Sequence, residues 1–457
     1  MNTIGTTSTM ECQENVWYPL PHSFTEHYHE LKLFEKAVFF CNRRIVSTDE
    51  NSEKLPIQFD PFLRKIRFNG ISGYLNLGPL AVTIRPKFME KENWIPRLSN
   101  ALVLGGGTRR MVVLPGTMSS TWLNSRFIDP FARLYARSLL AALESHPLLA
   151  YQRIERTLPF VRGRVLWDKE YLKPPTRKHK VSCSFSGFLK DNEFIHLLRW
   201  ASLEFHGMVR TRETRTALES VLERLPKTSC SDSFRFPLMR PLPPGMSLYK
   251  ESFELAQELA RARRRSASSS NSEKKICGVV AIMHACFEAL VSHLYRRISP
   301  RIQMKTKAQS SWPFVRREGK GLGEDTRYVR PDDIILCSNG TEKPILVSDS
   351  KYVGRIASET QNRRHKLDAG NFYQVVCSCL SVGTRKGLIV QPLTEDVEAN
   401  TPGFEKWCLM NGKDSGRDIS IGVLRLDFRK LNSPDGIRSL ENQLVDGIKQ
   451  IRDDTTE

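Results

Sequence analysis

The sequence predicts an α+β protein of several domains, with a β-rich N-terminal module, a helical middle and a C-terminal α/β domain. Three observations predict this. The chain has 457 residues, more than one hydrophobic core usually organises. The apolar period shifts from about two to between three and four near residue 127, and short β-prone runs return at 334–337 and 345–347. The run RARRRSASSSNSEKK over 261–275 cannot bury apolar surface, so it reads as an exposed basic linker or loop. The expected regions are therefore 1–125, 126–260, the linker 261–275, and 276–457.

Residues 1–60 mix polar text with short apolar runs and carry no firm assignment. RFNGISGYLNLGPLAVTIRPKF follows, in which Gly70, Gly73 and Gly78 punctuate short alternating runs and Pro86 ends the last. That is the β-rich module. FIDPFARLYARSLLAALESH then sets Phe131, Leu134, Leu139 and Leu143 on one helical stripe, stopped by His146-Pro147. A basic stretch from Arg153 to Lys180 comes next, and 191–225 and 249–263 again read as helices. In the last region, Val279, Met283, Phe287, Leu290 and Leu294 predict an amphipathic helix over 279–295.

Apolar content of 40% and charged content of 26% exclude a disordered chain. With 69 Lys and Arg against 50 Asp and Glu, the formal charge of +19 favours a polyanionic partner. A basic solvated surface is the plainer account. Ten scattered cysteines make neither a disulfide framework nor a zinc site, so reduced thiols in a cytoplasmic protein are expected. No signal peptide or membrane span is expected. Gly105-Gly106-Gly107-Thr108 lacks the lysine and spacing of a phosphate-binding loop, so any nucleotide motor must be another chain.

The chemistry concentrates in YVRPDDIILCSNGTEKPILVSDSKYV. Asn339-Gly340 between two β-prone runs signals a hairpin. A two-residue turn there sets Asp332 opposite Val347, on one face with Asp349 and Lys351, because strand side chains alternate. Asp333 points to the other face, unless a bulge shifts the parity. Asp332 and Asp349 are then suitable ligands for Mg²⁺, a hard cation that takes one or two carboxylates and keeps open positions, with Mn²⁺ as an alternative. Lys351 can orient a water and offset charge growing on a phosphate. An exposed structural hairpin explains the same three residues. Glu288, on the preceding helix, and Gln374, on a following one, are supporting candidates; a surface carboxylate and a surface amide are their bland readings.

Beyond these residues, the sequence resembles the McrC family of 5-methylcytosine restriction system components. The resemblance rests on GYLNLGPLAVTIRPKF with its Pro86-Lys87 pair, FARLYARSLLAAL, and RTLPFVRGRV with Arg162-Gly163-Arg164. It continues in CFEALV, Arg330-Pro331-Asp332, Asp349-Ser350-Lys351 and Tyr373-Gln374. It implies a C-terminal PD-(D/E)xK-type nuclease fold, a mixed sheet flanked by helices. It further implies Mg²⁺-dependent cleavage of double-stranded DNA, with Asp332, Asp349 and Lys351 catalytic and Glu288 and Gln374 in support. The implied partner is a McrB-like AAA+ GTPase, docked through the N-terminal part and stimulated in GTP hydrolysis, so GTP enters only through it; a dimer through the nuclease domain is a further option. Doubled Asp332-Asp333 departs from the family pattern and leaves the ligand open between them. Arg355 is a candidate for contact with the partner's active site, against a phosphate-binding or solvated Arg. Two other readings stand beside this one: a DNA-binding adaptor with an inactive nuclease fold, and a standalone metal-dependent repair nuclease.

Overall fold

The computed structural model describes residues 8–21, 28–46, 55–77, 80–89, 91–105, 111–114, 128–145, 150–172, 174, 179–189, 193–226, 242, 246–267, 276–316, 326–337, 343–353, 369–393, 403–409, 418–431 and 433–452. The chain forms two compact units, one made of Met1–Gly116 with Ser270–Glu457 and the other of Thr117–Ser269.

The first unit opens with β1 (Ser8–Gln13), β2 (Tyr18–Pro19), α1 (Tyr28–Val46), β3 (Ile57–Asp60), β4 (Lys65–Phe68), β5 (Ile71–Leu77), β6 (Leu80–Arg85), α2 (Trp94–Leu104) and β7 (Met111–Leu114). The alternating runs anticipated around the glycines are β4, β5 and β6. The unassigned AVFFC lies on α1, which places Ala37, Val38 and Cys41 in a core with Ile57, Ile66, Phe68 and Leu75. Asn42 fixes that helix to β3 through two hydrogen bonds with the Ile57 backbone, at 2.7 and 2.8 Å.

The second unit holds α3 (Ile128–Ser145), β8 (Ala150–Leu158), β9 (Arg164–Val165), α4 (Trp167–Tyr171), β10 (Val181–Leu189), α5 (Glu193–Met208), α6 (Arg212–Arg224) and α7 (Lys250–Ala267). The expected stripe of α3 is buried at Phe131, Leu134 and Leu139. Buried Asp129, at the start of α3, accepts from the backbone N–H groups of Arg210 and Thr211, both at 3.0 Å, and so joins it to the start of α6. The middle region also carries a β-component, a small sheet in the order β8-β10-β9. Residues 261–267 of the expected linker are the last turns of α7, and 268–275 lie outside the described residues.

The first unit resumes with β11 (Ile276–Ile282), α8 (Met283–Ile302), β12 (Met304–Ala308), β13 (Trp312–Arg316), β14 (Thr326–Val329), β15 (Asp333–Cys337), β16 (Pro344–Ser350), α9 (Ala369–Val382), β17 (Lys386–Pro392), β18 (Phe404–Leu409), β19 (Ile419–Leu426) and α10 (Pro434–Arg452). The helix expected over 279–295 begins only at Met283. Residues 276–282 are a strand, and it lies inside the N-terminal sheet, in the order β1-β6-β5-β11-β7. The backbones of β5 and β11 meet closely there: a Cβ on Gly73, whose φ is +144°, would fall 2.1 Å from the Val279 carbonyl oxygen. Only glycine tolerates both the torsion and the contact.

The second large sheet runs β12-β15-β16-β17-β19-β18. Its central pairs β16–β17 and β17–β19 are parallel and the others antiparallel, so it is a mixed sheet. Parallel strands need crossovers. One of these carries α9, which packs Val375, Cys379 and Val382 on Ile334, Val347, Ile389 and Ile421.

Candidate active site

The site is built at the C-terminal end of β16, next to the start of β15. The register departs from the two-residue turn in two steps. Leu336 pairs with Pro344, and a bulge beyond it makes Ile335 pair with Leu346, Ile334 with Val347 and Asp333 with Ser348. Each step is a one-residue offset in the same direction. Their sum is even, so the face assignment survives although each pairing differs from the expected one. The bulged residue, Ile345, is held by its carbonyl, which accepts from the Thr384 hydroxyl at 2.7 Å. Residues 338–342, with Asn339-Gly340, lie outside the described residues.

Alternation then separates the two adjacent aspartates. Ile334 and Val347 pack against α9, and Asp332 and Asp349 each lie two residues further along, on that face. Asp333 points towards α8, where its carboxylate accepts from the Ser292 hydroxyl at 2.6 Å. Beside it the Tyr295 hydroxyl donates to Ser348 Oγ at 2.6 Å. Burial raises the Asp333 pKa to about 7, with the Ser292 hydrogen bond opposing the rise.

Asp349 is 2% exposed. Its Oδ2 lies 2.7 Å from Lys351 Nζ, an ion pair without hydrogen-bond geometry, and this buried oxygen accepts no hydrogen bond. Lys351 Nζ donates instead to Gln374 Oε1 at 2.7 Å, so α9 holds the ammonium against the strand. Asp332 Oδ2 accepts from the Ser350 N–H at 2.6 Å. Burial first, then the like charges of Asp349 and Glu288, raise the Asp332 pKa to about 8, while the Ser350 hydrogen bond and Lys351 oppose the shift. A half-buried and a buried carboxylate with one nearby lysine form a locus short of positive charge.

Glu288 joins the site through a residue that sequence reasoning missed. The Gln309 side chain donates to Glu288 Oε1 and accepts from Arg330 Nη2 at 3.1 Å. Its backbone N–H donates to the Asp332 carbonyl at 2.8 Å. Gln309 adopts φ +46°, a torsion glutamine rarely takes. Neither its residue type nor its spacing gives a signal; only the fold brings it there. Arg355 lies outside the described residues.

The donor set fits a hard divalent cation better than a soft one. Among the described residues, no three His, Cys, Asp or Glu side chains converge as a metal cage. A half-buried and a buried carboxylate, the second with an oxygen free of hydrogen bonds, suit an ion that keeps water in its remaining positions, as Mg²⁺ and Mn²⁺ do. Cys12, Cys41, Cys183, Cys286, Cys337, Cys377, Cys379 and Cys408 form no disulfide, and none of the candidate site residues is a cysteine.

Comparison with known proteins gives a consistent picture. Residues 66–391 match the family described as the McrBC 5-methylcytosine restriction system component. No curated protein matches the chain. Among solved structures, a chain of the half-complex from a tetradecameric assembly of Thermococcus gammatolerans McrB AAA+ hexamers with bound McrC superposes with a TM-score of 0.52. The two are 16% identical, over 96% of this chain and 100% of that one. A chain of the Thermococcus gammatolerans McrBC complex gives a TM-score of 0.37 at 16% identity, over 64% of this chain and 88% of that one.

Proposed function

The chain belongs to the McrBC 5-methylcytosine restriction system component family, and from that premise we propose that it is the DNA-cleaving subunit of a GTP-driven restriction complex directed at modified DNA. One observation carries the reading above all. Half-buried Asp332 and buried Asp349 share one sheet face, with Lys351 ion-paired at 2.7 Å to the second. The location supports it too, since open α/β sheets place ligands beyond the carboxyl ends of their parallel strands.

In this reading Asp332 and Asp349 hold Mg²⁺, or Mn²⁺ in its place. The bound cation supplies Lewis-acid stabilisation of charge developing on the scissile phosphate. Lys351 contributes a second positive group on the reacting phosphate and orients the attacking water. Gln374 accepts from its ammonium at 2.7 Å and so holds it between α9 and Asp349. Glu288, steadied by Gln309, adds negative charge that favours retention of the cation. The Ser350 N–H, bonded to one Asp332 oxygen, fixes the rotamer of that carboxylate.

The partner is drawn from the solved relative, in which McrC is bound to McrB AAA+ hexamers. A McrB-like GTPase ring that this chain stimulates is thus the proposed source of target selection and GTP hydrolysis. Double-stranded DNA is the proposed substrate, consistent with the charge of +19. Among the described residues no helix is long and apolar enough to cross a membrane.

Cleavage of methylated duplex DNA should be measured with the full chain alone, with a McrB-like ring GTPase added, and with that partner plus GTP. The reading expects Mg²⁺-dependent cutting only in the last case. Cutting by the chain alone would favour a standalone repair-type nuclease. Salt-sensitive DNA binding without cutting or divalent-cation binding would favour an adaptor.

A further inference from the structure

We propose that a buried polar cluster of Glu14, Lys87 and Tyr352 positions Lys351, tying the N-terminal sheet to the candidate active site. The inference rests on the reading above in taking Lys351 as the working cation of that site.

The cluster begins with strand ends. β1 and β6 pair in parallel, Gln13 opposite Arg85, and the Glu14 N–H continues the ladder to the Arg85 carbonyl at 2.9 Å. Glu14 and Lys87 therefore leave the sheet side by side. Both are buried, at 0% and 7% exposure. Burying two charges is expensive, and a buried pair persists only where further hydrogen bonds satisfy it. Here two such bonds converge on Tyr352, while buried Glu14 Oε1 accepts none. The Tyr352 hydroxyl donates to Glu14 Oε2 at 2.5 Å, and Lys87 Nζ donates to the Tyr352 carbonyl at 3.0 Å. The same ammonium lies 4.2 Å from the centre of the Tyr352 ring, a cation–π contact.

Tyr352 directly follows Lys351. The Lys351 N–H donates to the Val390 carbonyl on β17 at 2.8 Å, and its carbonyl accepts from the Val353 N–H at 2.8 Å. Lys351 thus projects from a backbone held by the mixed sheet before it and by the cluster after it. The helix that carries the supporting carboxylate Glu288 reaches the same place. Phe287, which precedes Glu288, packs against the Tyr352 ring with centroids 6.0 Å apart, and Phe88, which follows Lys87, meets that ring edge-on at 5.2 Å. Neighbours of two candidate site residues share one buried cluster whose charged members come from the N-terminal sheet. A fold needing only to fill this space could do so with apolar side chains at lower cost.

The test compares the full-length wild type with Tyr352→Phe and Glu14→Gln. Trace acetic anhydride labelling, read by mass spectrometry, reports how freely the Lys351 amine reacts relative to the other lysines. Both variants should label Lys351 several-fold faster at a temperature where each is folded. In the complex, kcat for cleavage should fall on the order of ten- to a hundredfold with KM for DNA unchanged, as expected when a reacting group is misplaced by a fraction of an ångström to an ångström. Tyr352→Phe keeps the ring, so it decides the matter if Glu14→Gln does not fold. Unchanged labelling overturns the proposal whatever happens to thermal stability, and so does faster labelling with unchanged kcat. A wild type that never cuts DNA refutes the nuclease reading instead, and the labelling still decides whether the cluster holds Lys351.

Discussion

At the scale of single residues, Asp332 carries the clearest electrostatic signature. Its pKa in the folded, cation-free protein is raised to about 8, whereas an exposed aspartate ionises near about 4. The folded state therefore keeps a proton that the unfolded chain releases between those values. Stability falls as pH rises from about 4 to about 8, and the loss is complete above the folded pKa. On the proposed function, a divalent cation bound by the two carboxylates would replace that proton. Mg²⁺ should thus raise the melting temperature more at pH 8 than at pH 6, and hardly at all in Asp349→Asn; equal shifts in all three cases would contradict the assignment. Gln309 permits a second test. Gln309→Ala loses the Glu288 and Arg330 contacts and keeps the strained torsion, so it should be less stable by about 1 kcal/mol. Gln309→Gly should recover much of that stability without recovering cleavage, which thermal melts beside single-turnover assays would separate.

At the scale of elements, the site depends on how α9 seats on the sheet, because Gln374 reaches Lys351 from that helix. Gly387 on β17 makes the seat: a Cβ there would fall 2.4 Å from Val375 Cγ1 and 3.2 Å from Cys379 Sγ. Valine is stiff at χ1, so the helix must move rather than the side chain. Gly387→Ala should cost about 1–3 kcal/mol of stability by denaturant melts and slow cleavage, with Gln374 drawn away from Lys351. A variant as stable and active as wild type would show that the helix position is not critical. The hairpin beneath was legible in sequence because alternation constrains faces, and faces depend on parity alone. Asp332, Asp349 and Lys351 could therefore be placed together even though the register differs from that of a two-residue turn. Strand β11 was not legible. ICGVVAI is a near-continuous apolar run of a kind that suits an inner strand flanked on both edges, and its Val279 continues the helical spacing of Met283 and Phe287.

At the scale of the whole molecule, the region carrying the candidate site is not closed by sequence proximity. β11 lies between β5 and β7, so the start of 276–457 completes the sheet of the N-terminal module. Glu14 and Lys87 then supply buried partners to Tyr352 from the same module. A fragment of residues 276–457 should accordingly show no cooperative thermal transition by circular dichroism, and a sharp two-state melt would contradict this organisation. The sequence made the family readable, since short motifs report it, and local periods marked many of the helices and strands. It could not reveal that the chain leaves the first unit for 117–269 and returns to it, because pairing between residues some 200 positions apart leaves no local mark. The central claim is that Asp332, Asp349 and Lys351 cut DNA with a divalent cation. Single-turnover cleavage of methylated duplex DNA by the GTP-supplied complex, wild type against Asp349→Asn, tests it most directly. Asp349→Asn should lose on the order of a thousandfold or more in rate, while still folded and still assembled with its partner. Equal rates for the two proteins would contradict the claim.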